Sequence, residues 1–167
     1  RGKLSQREDA LRRAAQFMKC PLLYCNLVGG QDELVFDGAS MAIGADGKLG
    51  ARAPQFHEAM MKAIFPMIGK NAPEISNDWK MSISPALEDP AEVYGALRLG
   101  LKDYVDKNGF THVLIGLSGG IDSAITAVIA VDALGAENVL GLFMPSPYTS
   151  QDSGEDVEDL ARRLHIA

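Results

Sequence analysis

The chain has 167 residues, 47% hydrophobic and 23% charged, which fits an ordinary globular protein of one domain or pieces of two. Its net charge of −6, with Lys and Arg scattered, excludes an electrostatic footprint for nucleic acid; a polyanion could be held only through local backbone donors and a metal. Two cysteines without CxxC spacing or a nearby His exclude a disulfide framework or zinc site, and no signal peptide or membrane-length apolar run is present, so a reducing cytoplasm is the expected setting.

In chain order, residues 5–18 read as a helix. Ser5 and Glu8 are spaced as a capping box, and Leu11, Ala14, Ala15 and Met18 make an apolar stripe. Leu22–Cys25 reads as a short buried strand, with Cys25 a small core residue rather than a nucleophile. Gly29-Gly30 reads as a break, followed by strands at 34–36 and 40–43. Asp46-Gly47 is a hairpin-type turn before a strand at 49–52. From 54 to 88 the signals weaken: Pro54, Pro66, Pro73 and Pro85, with Gly69, Asn71 and Asn77, mark a connection, and Trp79 suggests that it packs against something.

Order returns at Asp89, which is placed to N-cap a helix with Pro90 at its first helical position and Glu92 completing a capping box. Val93, Leu97, Leu101 and Tyr104 form one face, and Asn108-Gly109 ends it. Val113-Leu114-Ile115 is an apolar strand of the kind covered on both faces. A helix from 122 to 134, a strand from 139 to 144 and a helix from 151 to 164 follow, the last with Val157, Leu160, Ala161 and Leu164 on one face. Helix, strand, helix, strand, helix is the opening of a doubly wound α/β sheet. The chain opens without Met and stops where a helix is ending; both ends read as cuts through a longer protein.

The chemistry sits in Gly116-Leu117-Ser118-Gly119-Gly120-Ile121-Asp122-Ser123, between an apolar strand and a helix N-terminus. Open α/β sheets bind ligands at that end of their strands, and exposed N–H groups with the helix dipole favour a phosphate there. Gly119 and Gly120 let an anion approach the backbone, while Ser118 and Ser123 add hydroxyl donors. Asp122 would repel a bare polyphosphate, but Mg²⁺ between them reverses the sign, so the set points to Mg-ATP. The loop is neither a Walker A motif, which needs Gly-Lys-Ser/Thr, nor a Rossmann G-x-G-x-x-G. A bland alternative is a glycine turn whose polar residues only cap a helix.

The S-G-G-x-D-S pattern after an apolar strand resembles the PP-loop ATP-pyrophosphatases. Residues 103–105, 107–110, 118–124, 132–135 and 144–146 together resemble the glutamine-dependent NAD⁺ synthetases. Upstream, residues 28–38 (VGGQDELVFDG) are similar to the late part of that family's nitrilase-like glutaminase domain. The resemblance is weakest over 59–85. It implies a doubly wound parallel-sheet piece, adenine nucleotide alpha hydrolase-like, preceded by the C-terminal part of a nitrilase-like αββα domain. The implied division is 1–58 for the glutaminase part, 59–88 for the connection and 89–167 for the PP-loop part.

The implied activity is ATP-dependent amidation of deamido-NAD⁺ with ammonia made from glutamine and passed through a tunnel. The implied cofactors are ATP and Mg²⁺, with Asp122 as metal ligand and Gly116–Ser123 as ATP loop. No nucleic acid or membrane partner is implied, and the intact enzyme is expected to be a homo-oligomer. The Glu-Lys-Cys triad of the glutaminase is expected upstream, leaving no catalytic residue in this fragment and no activity to it alone. Lys3 matches a lysine near the family's glutamine pocket, and equally reads as a solvated end charge. Glu33 and Asp37 read as structural, and His57, His112 and His165 receive no role. Ser146 and Ser150 lie in a region near the family's ATP site, although Ser150 also suits a helix cap. Competing readings are another PP-loop ligase, GMP-synthetase-like or tRNA-modifying, and a non-catalytic nucleotide-binding module. The block at 28–38 argues against the first and Asp122 against the second.

Overall fold

The computed structural model describes residues 2–62, 83–147 and 150–167. In order they form α1 (Lys3–Met18), β1 (Leu22–Tyr24), β2 (Val28–Gln31), β3 (Leu34–Asp37), β4 (Met41–Ile43), β5 (Leu49–Arg52) and α2 (Asp89–Lys107). Then come β6 (Val113–Leu117), α3 (Ile121–Leu134), a 3₁₀ turn (Ala136–Asn138), β7 (Val139–Phe143) and α4 (Gln151–Leu164). The chain divides into two compact units: Arg1–Gly29 with Phe36–Gly95, and Gly30–Val35 with Ala96–Ala167. Most of the expected connection, including Pro66, Gly69, Asn71, Pro73, Asn77 and Trp79, lies outside the described residues, as do Tyr148 and Thr149.

In the first unit, β1, β4 and β5 form an antiparallel sheet with β4 at its centre. Met41, Ala42 and Ile43 are fully buried there. Leu4, Leu11 and Ala15 of α1 pack on Met41 and Ile43, as expected for Leu11 and Ala15, whereas Met18 of the expected stripe is exposed. Its start differs from expectation. The helix begins at Lys3 behind Gly2 in a left-handed conformation, which places Ser5 inside the first turn, donating to the Gly2 carbonyl at 3.1 Å. Glu8 is not a capping partner, because its carboxylate is taken by Arg12 and by Arg52 at 2.8 Å. The strand expected at Leu22–Cys25 is shorter and less buried: Leu23 points outward, and Cys25 is exposed rather than a core residue. A three-residue strand with one covered face alternates, and Cys25 lies past its end.

Charge replaces apolar burial at Arg7 as well. Arg7 donates two bonds of 2.9 Å to Asp37, and Asn26 donates to the same carboxylate. The guanidinium also lies 5.5 Å from the centre of the Tyr24 ring. Burial alone would lower the Arg7 pKa, but the bonds and charge of Asp37 outweigh it and raise it.

Gly29-Gly30 is not a break; both glycines are buried within β2, and the turn to β3 falls at Asp32-Glu33. The tip of this hairpin belongs to the second unit. There the Gly30 N–H donates to Asp103 Oδ2 at 2.7 Å and its carbonyl accepts from Lys107 Nζ at 2.5 Å. A Cβ on Gly30 would sit 3.2 Å from Gly100 Cα, and one on Gly100 would sit 3.1 Å from Val35 Cγ2. Burial alone would raise the Asp103 pKa, but bonds from Lys107 and the Gly30 N–H hold the carboxyl below its ordinary value.

The first i to i−4 bond of α2 runs from Glu92 N–H to the Glu88 carbonyl, so Glu88, not Asp89, occupies the N-cap position. Of the expected face only Leu101 packs on the core; Val93, Leu97 and Tyr104 are exposed, and the buried apolar residue is Val105. The strands β6 and β7 pair in parallel, Val113 with Val139 through Leu117 with Phe143. Their side chains alternate. Val113, Ile115, Leu117, Val139 and Phe143 join Ala127, Ala130 and Val157 in one core, while Leu114, Leu140 and Leu142 are exposed. The expectation of a strand covered on both faces is therefore not met among the described residues. The reason is that α3 and α4 supply one layer only.

Two tests follow from these contacts. Asp37→Ala leaves the Arg7 guanidinium half-buried without its partner and is expected to cost about 3 kcal/mol, with much of it recovered in Arg7→Met/Asp37→Leu, as read from chemical denaturation. Asp103 has a folded pKa below its unfolded one, so its stabilisation is complete above the ordinary carboxylate value and is lost as pH falls through the folded pKa. The Gly30 amide resonance should titrate with that depressed midpoint, and a midpoint at or above the ordinary value would contradict the bond.

Candidate functional site

Parallel pairing of β6 with β7 forces a crossover, and α3 supplies it. The loop 118–120 consequently leaves the carboxyl end of β6 and enters α3 at Ile121. Gly120 is the N-cap with extended dihedrals and no side-chain cap, so first-turn N–H groups are left for an outside acceptor. Asp122 stands exposed in that first turn. Among the described residues its carboxylate has no hydrogen bond or ion pair.

The two serines act differently from the expectation of outward donors. Ser123 Oγ donates to the Gly120 carbonyl at 3.0 Å and accepts from the Ser118 N–H at 3.2 Å. Having spent its one proton there, it must accept at 3.1 Å from Ser118 Oγ, which in turn accepts from the Gly120 N–H at 3.3 Å. The loop is thus laced shut by its own hydroxyls. The glycines also differ from each other. Gly119 has φ +78°, and a Cβ there would lie 2.9 Å from Ser153 Cα and O, so close packing on α4 demands glycine before any ligand does. At Gly120 a Cβ would meet only Ser118 Oγ at 3.3 Å, with ordinary dihedrals.

The remaining candidates fall as follows. Leu117 is buried in the core and contributes backbone alone, whereas Gly116 and Ile121 are exposed. Ser150 caps α4, accepting from the Ser153 N–H. Lys3 is an exposed first residue of α1 and belongs to the other unit. A cleft of about 340 Å³ opens beside the loop, lined by Gly119, Gly120, Ile121, Ala124, Asp156, Asp159, Leu160 and Arg163. The last four of these come from α4 and were not anticipated; only the i, i+3, i+4 and i+7 spacing from Asp156 could have placed them on one face. Bonds from Arg163, helped by Arg162, hold the Asp159 carboxyl below its ordinary value despite its desolvation. Among the described residues no group of three His, Cys, Asp or Glu is placed to hold a metal. A hard cation would have to be shared between Asp122 and ligand oxygens, a mode that suits Mg²⁺.

Residues 93–167 match the family model described as NAD synthase. Over 98% of its length the chain is 44% identical to a glutamine-dependent NAD(+) synthetase of Rhodobacter capsulatus, covering 29% of that protein. It is 42% identical to the one of Acinetobacter baylyi, covering 99% of the chain and 29% of the relative. Over nearly its whole length the chain is thus similar to part of the glutamine-dependent NAD(+) synthetases. A solved synthetase of that family from Acinetobacter baumannii, in complex with adenosine diphosphate, superposes with a TM-score of 0.86 at 41% identity, over 99% of this chain and 30% of that one. The synthetase of Cytophaga hutchinsonii shares the fold, with a TM-score of 0.77 at 19% identity over 99% of this chain and 33% of that one. The fold here is α/β with a parallel strand pair, and the chain spans under a third of the length of these relatives.

The contrast between the two glycines is testable. Gly119→Ala combines a left-handed φ with a backbone clash and should cost about 2 kcal/mol or more, whereas Gly120→Ala should stay within about 1 kcal/mol. Thermal unfolding of the two variants measures the difference, and equal losses would contradict the packing of Gly119 on Ser153.

Proposed function

We propose that this chain carries the ATP-gripping loop of an enzyme that amidates deamido-NAD⁺ to NAD⁺ with glutamine-derived ammonia. The observation that carries the reading is an uncapped α3 N-terminus at the carboxyl end of β6, with the unpaired Asp122 in its first turn. Kinship at 44% identity with a glutamine-dependent NAD(+) synthetase and a related structure holding adenosine diphosphate support it. On this reading residues 89–167 are the first part of the synthetase domain, residues 1–58 the end of a nitrilase-like glutaminase domain, and 59–88 their connection. The fragment alone lacks the glutaminase triad and is inactive.

The residues Gly116–Ser123 are assigned to ATP. The N–H groups of Ile121 and Asp122 bind the β- and γ-phosphates, and the α3 dipole favours their charge. The nicotinate carboxylate of deamido-NAD⁺ attacks the α-phosphorus, and the pyrophosphate that leaves stays on this loop. Ammonia then attacks the carbonyl carbon of the adenylate and expels AMP. Asp122 would hold a magnesium ion between its carboxylate and the phosphates, and that ion when bound would withdraw charge from the departing pyrophosphate. Ser118 and Ser123 hold the loop's shape, so donors are in place before the nucleotide arrives. Lys3 is assigned to the glutamine pocket of the other domain, and the intact enzyme is a homo-oligomer of the cytoplasm.

The test is Asp122→Asn in the full-length enzyme, assayed with ammonia so that the glutaminase is bypassed. The amide keeps the size and the loop, but it is a weaker ligand for a hard cation, so turnover should fall by about two orders of magnitude or more. Near-normal turnover at saturating ammonia and Mg-ATP would remove Asp122 from the mechanism and return it to a helix-end residue.

A further inference from the structure

The apolar face of α4 is made by Val157, Leu160, Ala161 and Leu164, all packed in the core of the second unit. One turn earlier the same face passes through position 153, the i−4 neighbour of Val157, and the residue there is a half-buried serine. A helix that simply continued its stripe would place a large apolar side chain at that point. What Ser153 meets accounts for the exception. A Cβ on Gly119 would lie 2.9 Å from Ser153 Cα, Cβ and O, so the loop peptide rests directly on the first turn of α4. The Ser153 hydroxyl is engaged elsewhere, 2.8 Å from Ser150 Oγ, and Ser150 Oγ also accepts from the Ser153 N–H at 3.3 Å. The N-cap serine thus holds Ser153 by its side chain and by its backbone.

The two flanks of the loop are therefore fixed by different means. Toward α3, the hydroxyls of Ser118 and Ser123 bond it to itself and to the Gly120 carbonyl. Toward α4, Gly119 is placed by close contact with Ser153. Close-packed atoms transmit a displacement rather than absorb it. Because α4 is anchored in the core, added bulk at position 153 is relieved by movement of the loop.

We propose that Ser153 is a positioning residue, whose small side chain sets how closely α4 backs Gly119 and so where the loop N–H groups aim at the phosphates of ATP. The proposal rests on the functional reading above and adds to it a residue outside the loop. The test is made in the full-length enzyme. Ser153→Val completes the apolar stripe, so the thermal unfolding midpoint should hold or rise while the added branch presses on Gly119. In ammonia-dependent NAD⁺ formation its KM for Mg-ATP should rise about tenfold or more, the cost of slightly displaced donors. Its KM for ammonia should stay within about twofold, because the loop is assigned to the nucleotide alone. Ser153→Ala loses the hydroxyl without adding bulk and should keep the Mg-ATP KM within about threefold.

A valine variant with an unchanged Mg-ATP KM would overturn the role. So would an alanine variant as impaired as valine, which would make the hydroxyl cap, not the size, the feature that matters. Should the valine variant not fold, Ser153→Thr keeps the hydroxyl and adds one methyl; it should raise the Mg-ATP KM by about threefold or more, and no rise would overturn the role. A parent enzyme that binds no Mg-ATP would sink the functional reading and this role with it, an outcome distinct from a parent that binds and variants that match it.

Discussion

Parallel pairing of Val113–Leu117 with Val139–Phe143 is the constraint on which the site depends. Two parallel neighbours cannot be joined by a tight turn, so the chain must leave one strand, cross over and return. The crossover here is α3, and only three residues, 118–120, separate its start from the last strand residue. Burial of Leu117 below the sheet and of Ala127 and Ala130 along the helix fixes the distance between strand end and helix start. Small alanines on α3 allow that approach. The loop inherits its position from these apolar contacts, although none of them belongs to a ligand.

Much of this was readable in the residues, and the failures have identifiable causes. The strand-loop-helix unit was legible because the apolar run, the Gly-Gly pair and the Asp-Ser start of a helix all point the same way. The α4 span and the strand at 49–52 were also legible, the first from its 3.6-residue stripe and the second from the turn before it. Burial was not. Leu114 read as covered because composition reports apolarity, not whether another layer arrives to cover it. Val93, Leu97 and Tyr104 misled for the same reason.

The glycines and charged residues were harder still. Gly29-Gly30 has the local signature of a break, yet Gly30 serves backbone-to-backbone contact with Gly100, seventy residues away in sequence. Sequence spacing along one segment carries no information about a partner so distant. The capping box at Ser5 and Glu8 failed because Arg52, another long-range neighbour, wins the Glu8 carboxylate. The internal bonding of Ser118 and Ser123 was likewise hidden, since a serine beside glycine says only that a hydroxyl is there.

That internal bonding has a thermodynamic consequence. A glycine-rich loop left to itself has many backbone states, and a ligand that orders it loses affinity to conformational entropy. Here the hydroxyls of Ser118 and Ser123 have already selected one state at the time of folding. An incoming anion would not have to order the chain; it would compete with Ser118 Oγ for the Gly120 N–H, exchanging a long bond of 3.3 Å for a charge-assisted one. Discrimination at this position then becomes a contest between two acceptors for a single proton, decided by acceptor charge.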